Sequence, residues 1–198
     1  MMKKHLLFIL LLGILSAAIS VSTASAQKWA VKTNLAYDAT TTMNLGVEIG
    51  VAPKWTLDIS GNWNPWTFSD NKKWKHWLIQ PEMRYWTCKR FGGHFIAGHL
   101  WGGVYNVGNI HGLPDFLGTN FSRLEQNRYE GWFVGAGVAY GYAWMIGKHW
   151  NLEAEIGVGY AYTKYDVYRC PKCGSKLGSN NHNYFGPTKA AVSLVYLF

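Results

Sequence analysis

Cys170-Pro171-Lys172-Cys173-Gly174 has the spacing of half a zinc knuckle. Tetrahedral zinc takes four ligands, and no second CxxC exists to complete the set. His182 could be a third donor, with His111 or a neighbouring chain as the fourth. In an exported loop the same thiols could instead close a short, strained disulfide or stay free. Zinc at this loop is the one cofactor the chain offers; no P-loop, nucleotide fingerprint or complete metal motif is present. A second set is acidic: Glu48, Asp58, Glu82, Glu153 and Glu155, with Arg84 among them and Lys32 as a further counter-charge. Paired carboxylates are the means of acid–base chemistry. They equally well fill a narrow polar interior as a hydrogen-bonded charge network. The elements that carry them decide between the two.

Those elements alternate with period two. Trp29, Val31, Thr33, Leu35 and Tyr37 share one face of a first segment that runs to Asp38. In the second, Leu45, Val47, Ile49 and Val51 oppose Asn44, Gly46, Glu48 and Gly50. Trp55, Leu57, Ile59 and Trp63 oppose Thr56, Asp58, Ser60 and Asn62 in the third. The fourth sets Trp77, Ile79, Met83 and Tyr85 against Gln80, Glu82 and Arg84, with a bulge or bend expected at Pro81, which lacks a ladder donor. The fifth, about residues 93–107, shows no clear polar face. The sixth, 131–145, and the seventh, 150–163, set aromatic and β-branched residues against Gly, Glu153 and Glu155. The last is "AAVSLVYLF", ending at Phe198. Such a strand would be an aggregation hazard at an open edge, but it closes a barrel by pairing with the first.

The alternation is inverted relative to a water-soluble barrel. One face carries Trp, Tyr, Leu, Ile and Val; the other carries Gly, Ser, Asn and carboxylates. Charge near the middle of a bilayer costs several kcal/mol, so the carboxylates face the lumen and the aromatic face meets lipid. The reading is an all-β, eight-stranded, antiparallel up-and-down transmembrane barrel. Its lumen is too narrow to admit a substrate or conduct ions, which favours the structural network over an active site.

Residues 1–26 read as a cleaved signal peptide: basic Lys3, Lys4 and His5, the apolar "LLFILLLGILSAAISV", then Ala24-Ser25-Ala26. Residues 27–198 are the barrel. Trp 11, Tyr 12, Phe 9 and Gly 22 are high counts, and no apolar run after residue 26 approaches the roughly 20 residues of a membrane helix. Without Lys3 and Lys4, seventeen basic residues face eleven acidic ones, a charge of +6. In an exported protein that charge points to anionic lipid A or surface glycans rather than nucleic acid.

The connections between segments alternate between short, such as "APK" and "IGKH", and long. Two of the long ones, following segments five and seven, run to about 25 residues each. That asymmetry is the outer-membrane pattern, with both termini periplasmic and the long loops extracellular. Aromatic residues form two interfacial tiers. Trp29, Trp55, Trp144, Trp150 and Phe198 belong to the periplasmic rim, and Tyr37, Trp63, Trp77, Trp132 and Tyr162 to the outer rim. Lys72, Lys73 and Lys75 beside Trp74 and Trp77 read as a lipid-headgroup anchor. Cys88 sits on a short turn, too distant to pair with Cys170 or Cys173, and reads as a free thiol.

The stretches "LGVEIGVAPKWTLDISGNWNPW", "WLIQPEMRYW", "GAGVAYGYAWMIGKHWNLEAEIGVGYAYTKY" and "YFGPTKAAVSLVYLF" together resemble a Bacteroidota outer-membrane barrel family known only as a domain of unknown function. The resemblance implies an OmpA-like eight-stranded fold and an outer-membrane location, with no catalytic residues to carry over. A terminal aromatic on an alternating strand is similar to the signal read by the outer-membrane assembly machinery. Outer-membrane lipid A deacylases and acyltransferases are also eight-stranded barrels, using His, Ser and an acid near the outer rim. His94, His99, His111, Ser122 and Glu125 are this chain's candidates for that alternative. The expected function is non-enzymatic: a plugged barrel that binds a protein partner through loops containing Phe116, Leu117, Phe121, Tyr184 and Phe185.

Overall fold

The computed structural model describes residues 27–68, 72–110, 124–169 and 174–198. It contains β1 (Trp29–Asn34), α1 (Leu35–Ala39), β2 (Met43–Ala52), β3 (Trp55–Asn64), β4 (Lys73–Trp86), β5 (Gly93–Gly108), β6 (Asn127–Met145), β7 (Trp150–Arg169) and β8 (Lys176–Leu197). Each strand pairs antiparallel with the next, and β1 returns to β8, so the sheet closes in simple chain order. The expected all-β, up-and-down, eight-stranded architecture is the observed one. No helix among the described residues is long and apolar enough to cross a membrane, which says nothing of strands. Residues 1–26, expected to be a signal peptide, lie outside the described residues.

Period-two alternation sets the faces as read. Leu45, Val47, Ile49 and Val51 are exposed on β2, while Glu48 is fully enclosed. The same alternation runs through β3, β4, β6 and β7. It also settles β5: Phe95, Ala97 and His99 point inward, and His94, Ile96 and Leu100 outward. The phase is illegible in sequence because both faces of β5 carry large residues.

The expected first strand is too long. β1 stops at Asn34, whose side-chain oxygen accepts from the N–H of Ala36 and caps α1. Such a cap satisfies a helical donor that a strand would have to pair elsewhere. Leu35 and Tyr37 therefore leave the outer face, and Tyr37 lines a small interior cavity instead of the outer girdle. The two long connections are shorter than expected. Residues 109–126 link β5 to β6, and most of the segment after β7 is itself strand, Tyr168 still pairing with Lys176. At Pro81 the β4–β5 ladder skips from Ile79↔Gly102 to Glu82↔His99 without a change of register, so no bulge forms there. Register shifts occur elsewhere, among them one between Gly157 and Val158, opposite Pro187, Thr188 and Lys189. A bulge turns two successive residues to one side.

The termini end of the barrel is closed by apolar side chains, which the expectation of a polar interior did not include. Trp86 and Phe95 pack with Ala97, Ala139 and Ala143. Phe91 packs with Ala30, Val195 and Leu197. Phe91 reaches that position from the turn after β4 with φ of 62°, a left-handed conformation that aims its ring up into the barrel.

The close approach of β6 and β7 requires glycine at 159, where a Cβ would meet the Ala136 carbonyl oxygen at 2.3 Å and the Gly137 Cα at 2.6 Å. Gly61 faces open space, with nothing within 4 Å of a Cβ. Gly159→Ala should lower stability by about 1–3 kcal/mol, whereas Gly61→Ala should change it by less than about 0.5 kcal/mol. Denaturant titration of the two purified variants checks this; equal effects would show that the β6–β7 contact is not the constraint.

Candidate functional site

The interior carboxylates come from different strands and meet at one guanidinium. Glu48 on β2, Asp58 on β3, Glu82 and Arg84 on β4, and Glu153 and Glu155 on β7 all occupy inward positions of their alternation and are buried. Arg84 Nη1 donates to Glu48 and Glu153, each at 2.9 Å, and Nη2 donates to Glu155 at 2.8 Å. Its Nε donates to Glu82 at 2.5 Å, and Nη2 lies 3.3 Å from Asp58. The guanidinium also stacks over Phe95, 4.5 Å from the ring centre. Arginine suits this position because its planar fork presents five donors in fixed directions.

Two lysines flank it. Lys32 on β1 pairs with Glu48 and lies 3.2 Å from Asp58 and 3.4 Å from Glu153. Lys189 on β8 pairs with Glu82 and lies 3.1 Å from Glu155. The network thus joins β1, β2, β3, β4, β7 and β8 across the lumen. Thr56 donates to Glu48 and accepts from the Trp86 indole at 2.9 Å, tying the charges to the apolar floor. Lys189 is the residue that sequence reasoning missed. Counting back by two from Leu197 places it on the interior face, so the signal was present. The bulge beside it lets Thr188 face inward too, where its hydroxyl lies 2.9 Å from His99 Nε2.

Five carboxylates face three permanent cations here, and Asp58 Oδ1, Glu153 Oε1 and Glu155 Oε1 have no hydrogen-bond partner among the described residues. The cavity that Asp58, Arg84, Glu155 and Lys189 line measures about 20 Å³. A single water requires about 10–15 Å³ by that measure, so nothing larger than a water or two fits among these groups.

The histidines do not assemble a catalytic set. His94 is on the outer face, 2.5 Å from the Tyr140 hydroxyl, whereas His99 is inside, 4.0 Å from Glu82. Five residues apart on one strand, they necessarily face opposite sides. His182 is exposed on β8, opposite Thr163. His111, Ser122, Phe116, Leu117, Phe121, Cys170 and Cys173 lie outside the described residues. Among the described residues no three His, Cys, Asp or Glu side chains are placed to hold a metal. Cys88 is an exposed free thiol on the turn after β4.

The aromatics expected at the two interfaces fall at two ends of the barrel. Trp29 stacks on Phe198 at 3.9 Å and 4°, and Trp150 meets Tyr196 edge-on at the same end, where Trp55 also packs on Tyr85. Trp63 pairs across strands with Trp77, and Trp132 contacts Tyr162, at the opposite end.

A small closed antiparallel barrel with a charged, packed interior and an aromatic outer face is the class that these features define. The chain belongs to the family described as Protein of unknown function (DUF3575), which it matches over residues 8–198. Comparison with curated proteins and with solved structures found no match.

Removing Arg84 leaves several buried carboxylates without their shared counter-charge. Arg84→Ala should lower stability by about 3–5 kcal/mol. Adding Glu48→Gln to that variant should restore part of the loss, since neighbours in one network couple by about 0.5–3 kcal/mol. Chemical denaturation of the single and double variants measures both, and strict additivity would mean that Arg84 does not hold the network together.

Proposed function

We propose that this protein is a non-enzymatic small outer-membrane barrel of the Bacteroidota, OmpA-like kind that its sequence resembles. Its lumen is plugged, its termini are periplasmic, and it serves as a structural or accessory component that holds a protein partner at its outer end. The exposed apolar belt between two aromatic tiers supports the membrane placement, because a bilayer covers such a surface. The ion-paired interior and its water-sized cavity support the plug.

One observation carries the partner reading. A barrel strand crosses a membrane in about 9–11 residues, yet β6, β7 and β8 have 19, 20 and 22. β1 pairs with β8 only over Ser193–Leu197. From Lys176 to Ala191, β8 has β7 on one side and no strand among the described residues on the other. Natural edges are guarded by charge or proline. Residues 177–186 contain no proline and no permanently charged side chain, and Leu177 and Phe185 are exposed, Phe185 at 74 %. A ten-residue stretch of edge without charge or proline is what an extended segment of a partner recognises, main chain to main chain.

Proline tests this edge without breaking the barrel. Pro187 sits in the β7–β8 ladder, so its nitrogen belongs on the unpaired side. Alternation from it puts the N–H groups of Asn181 and Asn183 on that side as well. Tagged protein extracted in mild detergent should recover a partner, and Asn181→Pro/Asn183→Pro should lose it while remaining folded by heat-modifiable mobility. Recovery of the protein from the soluble periplasm would end the membrane reading. No partner, together with altered lipid A in a deletion strain, would replace the binding reading with the lipid A-modifying one. In planar bilayers the purified protein should show no steady conductance, and a stable open-channel current would refute the plug.

A further inference from the structure

The outer-rim tryptophans share a groove with two lysines that make no ion pair among the described residues. Trp63 on β3, Trp77 on β4, Val104 on β5 and Trp132 on β6 are consecutive cross-strand partners in one row. All four are exposed on the lipid-facing side. One step further from the termini, on the same outward alternation, lies Lys75; Lys164 on β7 pairs directly with Trp132. These residues line a single open groove of about 690 Å³.

The groove also carries Glu130 and Asp166, but both are already engaged. Asp166 is bound by Lys176 at 2.9 Å and by the Ser179 hydroxyl at 2.7 Å, and those hydrogen bonds hold its carboxyl below its usual pKa. Glu130 lies 3.7 Å from Arg128. What remains is two ammonium groups, Lys75 and Lys164, above a flat aromatic shelf. Ammonium groups recognise phosphate as point charges, and interfacial tryptophan sits where headgroups meet acyl chains.

We infer that this groove binds a phosphorylated glycolipid of the lipid A type, with Lys75 and Lys164 on its phosphates and Trp63, Trp77, Val104 and Trp132 along its acyl chains. The inference rests on the outer-membrane reading proposed above, which makes this rim the outer-leaflet side. Lipid A is the occupant favoured over a phospholipid because the two lysines come from different strands, β4 and β7, with two strands between them. One phosphodiester would reach only one of them, whereas a disaccharide with a phosphate at each end reaches both. Glu130 and Asp166 each have another cation within 4 Å, so the two ammonium groups are not their ion-pair partners.

The test uses purified full-length protein in detergent and three probes: bisphosphorylated lipid A, its dephosphorylated form, and phosphatidylglycerol. Native mass spectrometry should show lipid A bound at least tenfold more tightly than either other lipid. Lys75→Ala/Lys164→Ala should lose that preference, with the folded, heat-modifiable form intact. Lys54→Ala/Lys148→Ala, at the other end, should keep it. Equal retention of phosphatidylglycerol, or equal losses in both double variants, would overturn the site. Because binding is read in detergent, its failure is distinct from mislocalisation, which fractionation reports, and from loss of the partner at the β8 edge.

Discussion

Arg84 is the point at which the barrel is tied across its own axis. Main-chain hydrogen bonds hold each strand to its two neighbours and, through strand number and stagger, set the diameter, but they make no contact across the lumen. The guanidinium does, because it reaches Glu48 on β2, Asp58 on β3 and Glu153 and Glu155 on β7 at once. Lys32 and Lys189 extend the same grip to β1 and β8. Buried charge is expensive to desolvate, so such a centre adds little net stability even though removing one partner is costly. The glycines of β6 and β7 answer a nearer crowding: a Cβ at Gly135, Gly137, Gly141 or Gly159 would meet the backbone of the adjoining strand.

The interior is layered. Charge occupies the middle, and at the termini end Trp86, Phe91 and Phe95 form an apolar floor. The Trp86 indole joins the two through Thr56, so neither layer can shift without the other. Above the charged centre, Asn64 and Thr42 bond each other and α1 folds across toward β8. Outside this interior the strands differ in height. There the contrast is between a short half, β1 to β3, and a tall wall, β4 to β8, where much of β8 has no second strand among the described residues.

Much of this is legible in the chain itself. The faces of β2, β3, β4, β6 and β7 follow from period-two alternation, because a strand with an apolar outside and a crowded lumen inside must separate residue types sharply. The interior carboxylates and Arg84 and most members of the two aromatic tiers follow from the same contrast. Even Lys189 is on the correct parity when counted from Leu197. Where contrast is lacking the reading stops: β5 carries Phe95 and Trp101 on one face and Ile96 and Leu100 on the other, and pattern alone cannot choose between them.

The tertiary structure decided what depends on neighbours rather than on pattern. Residues 164–169 and 176–187 look like loop because both their faces meet water and no alternation survives. They are strand because each pairs with an existing strand, so main-chain hydrogen bonds supply what side-chain burial does not. β1 ends early because the Asn34 side chain satisfies a helical N–H locally, a competition invisible to period two. Lys164 stands beside Trp132, and Asp58 beside Lys32, only because the closed sheet's register sets them there. Sequence alternation chooses the face of a side chain; closure of the sheet chooses its companions, since register is a property of pairs of strands and not of one.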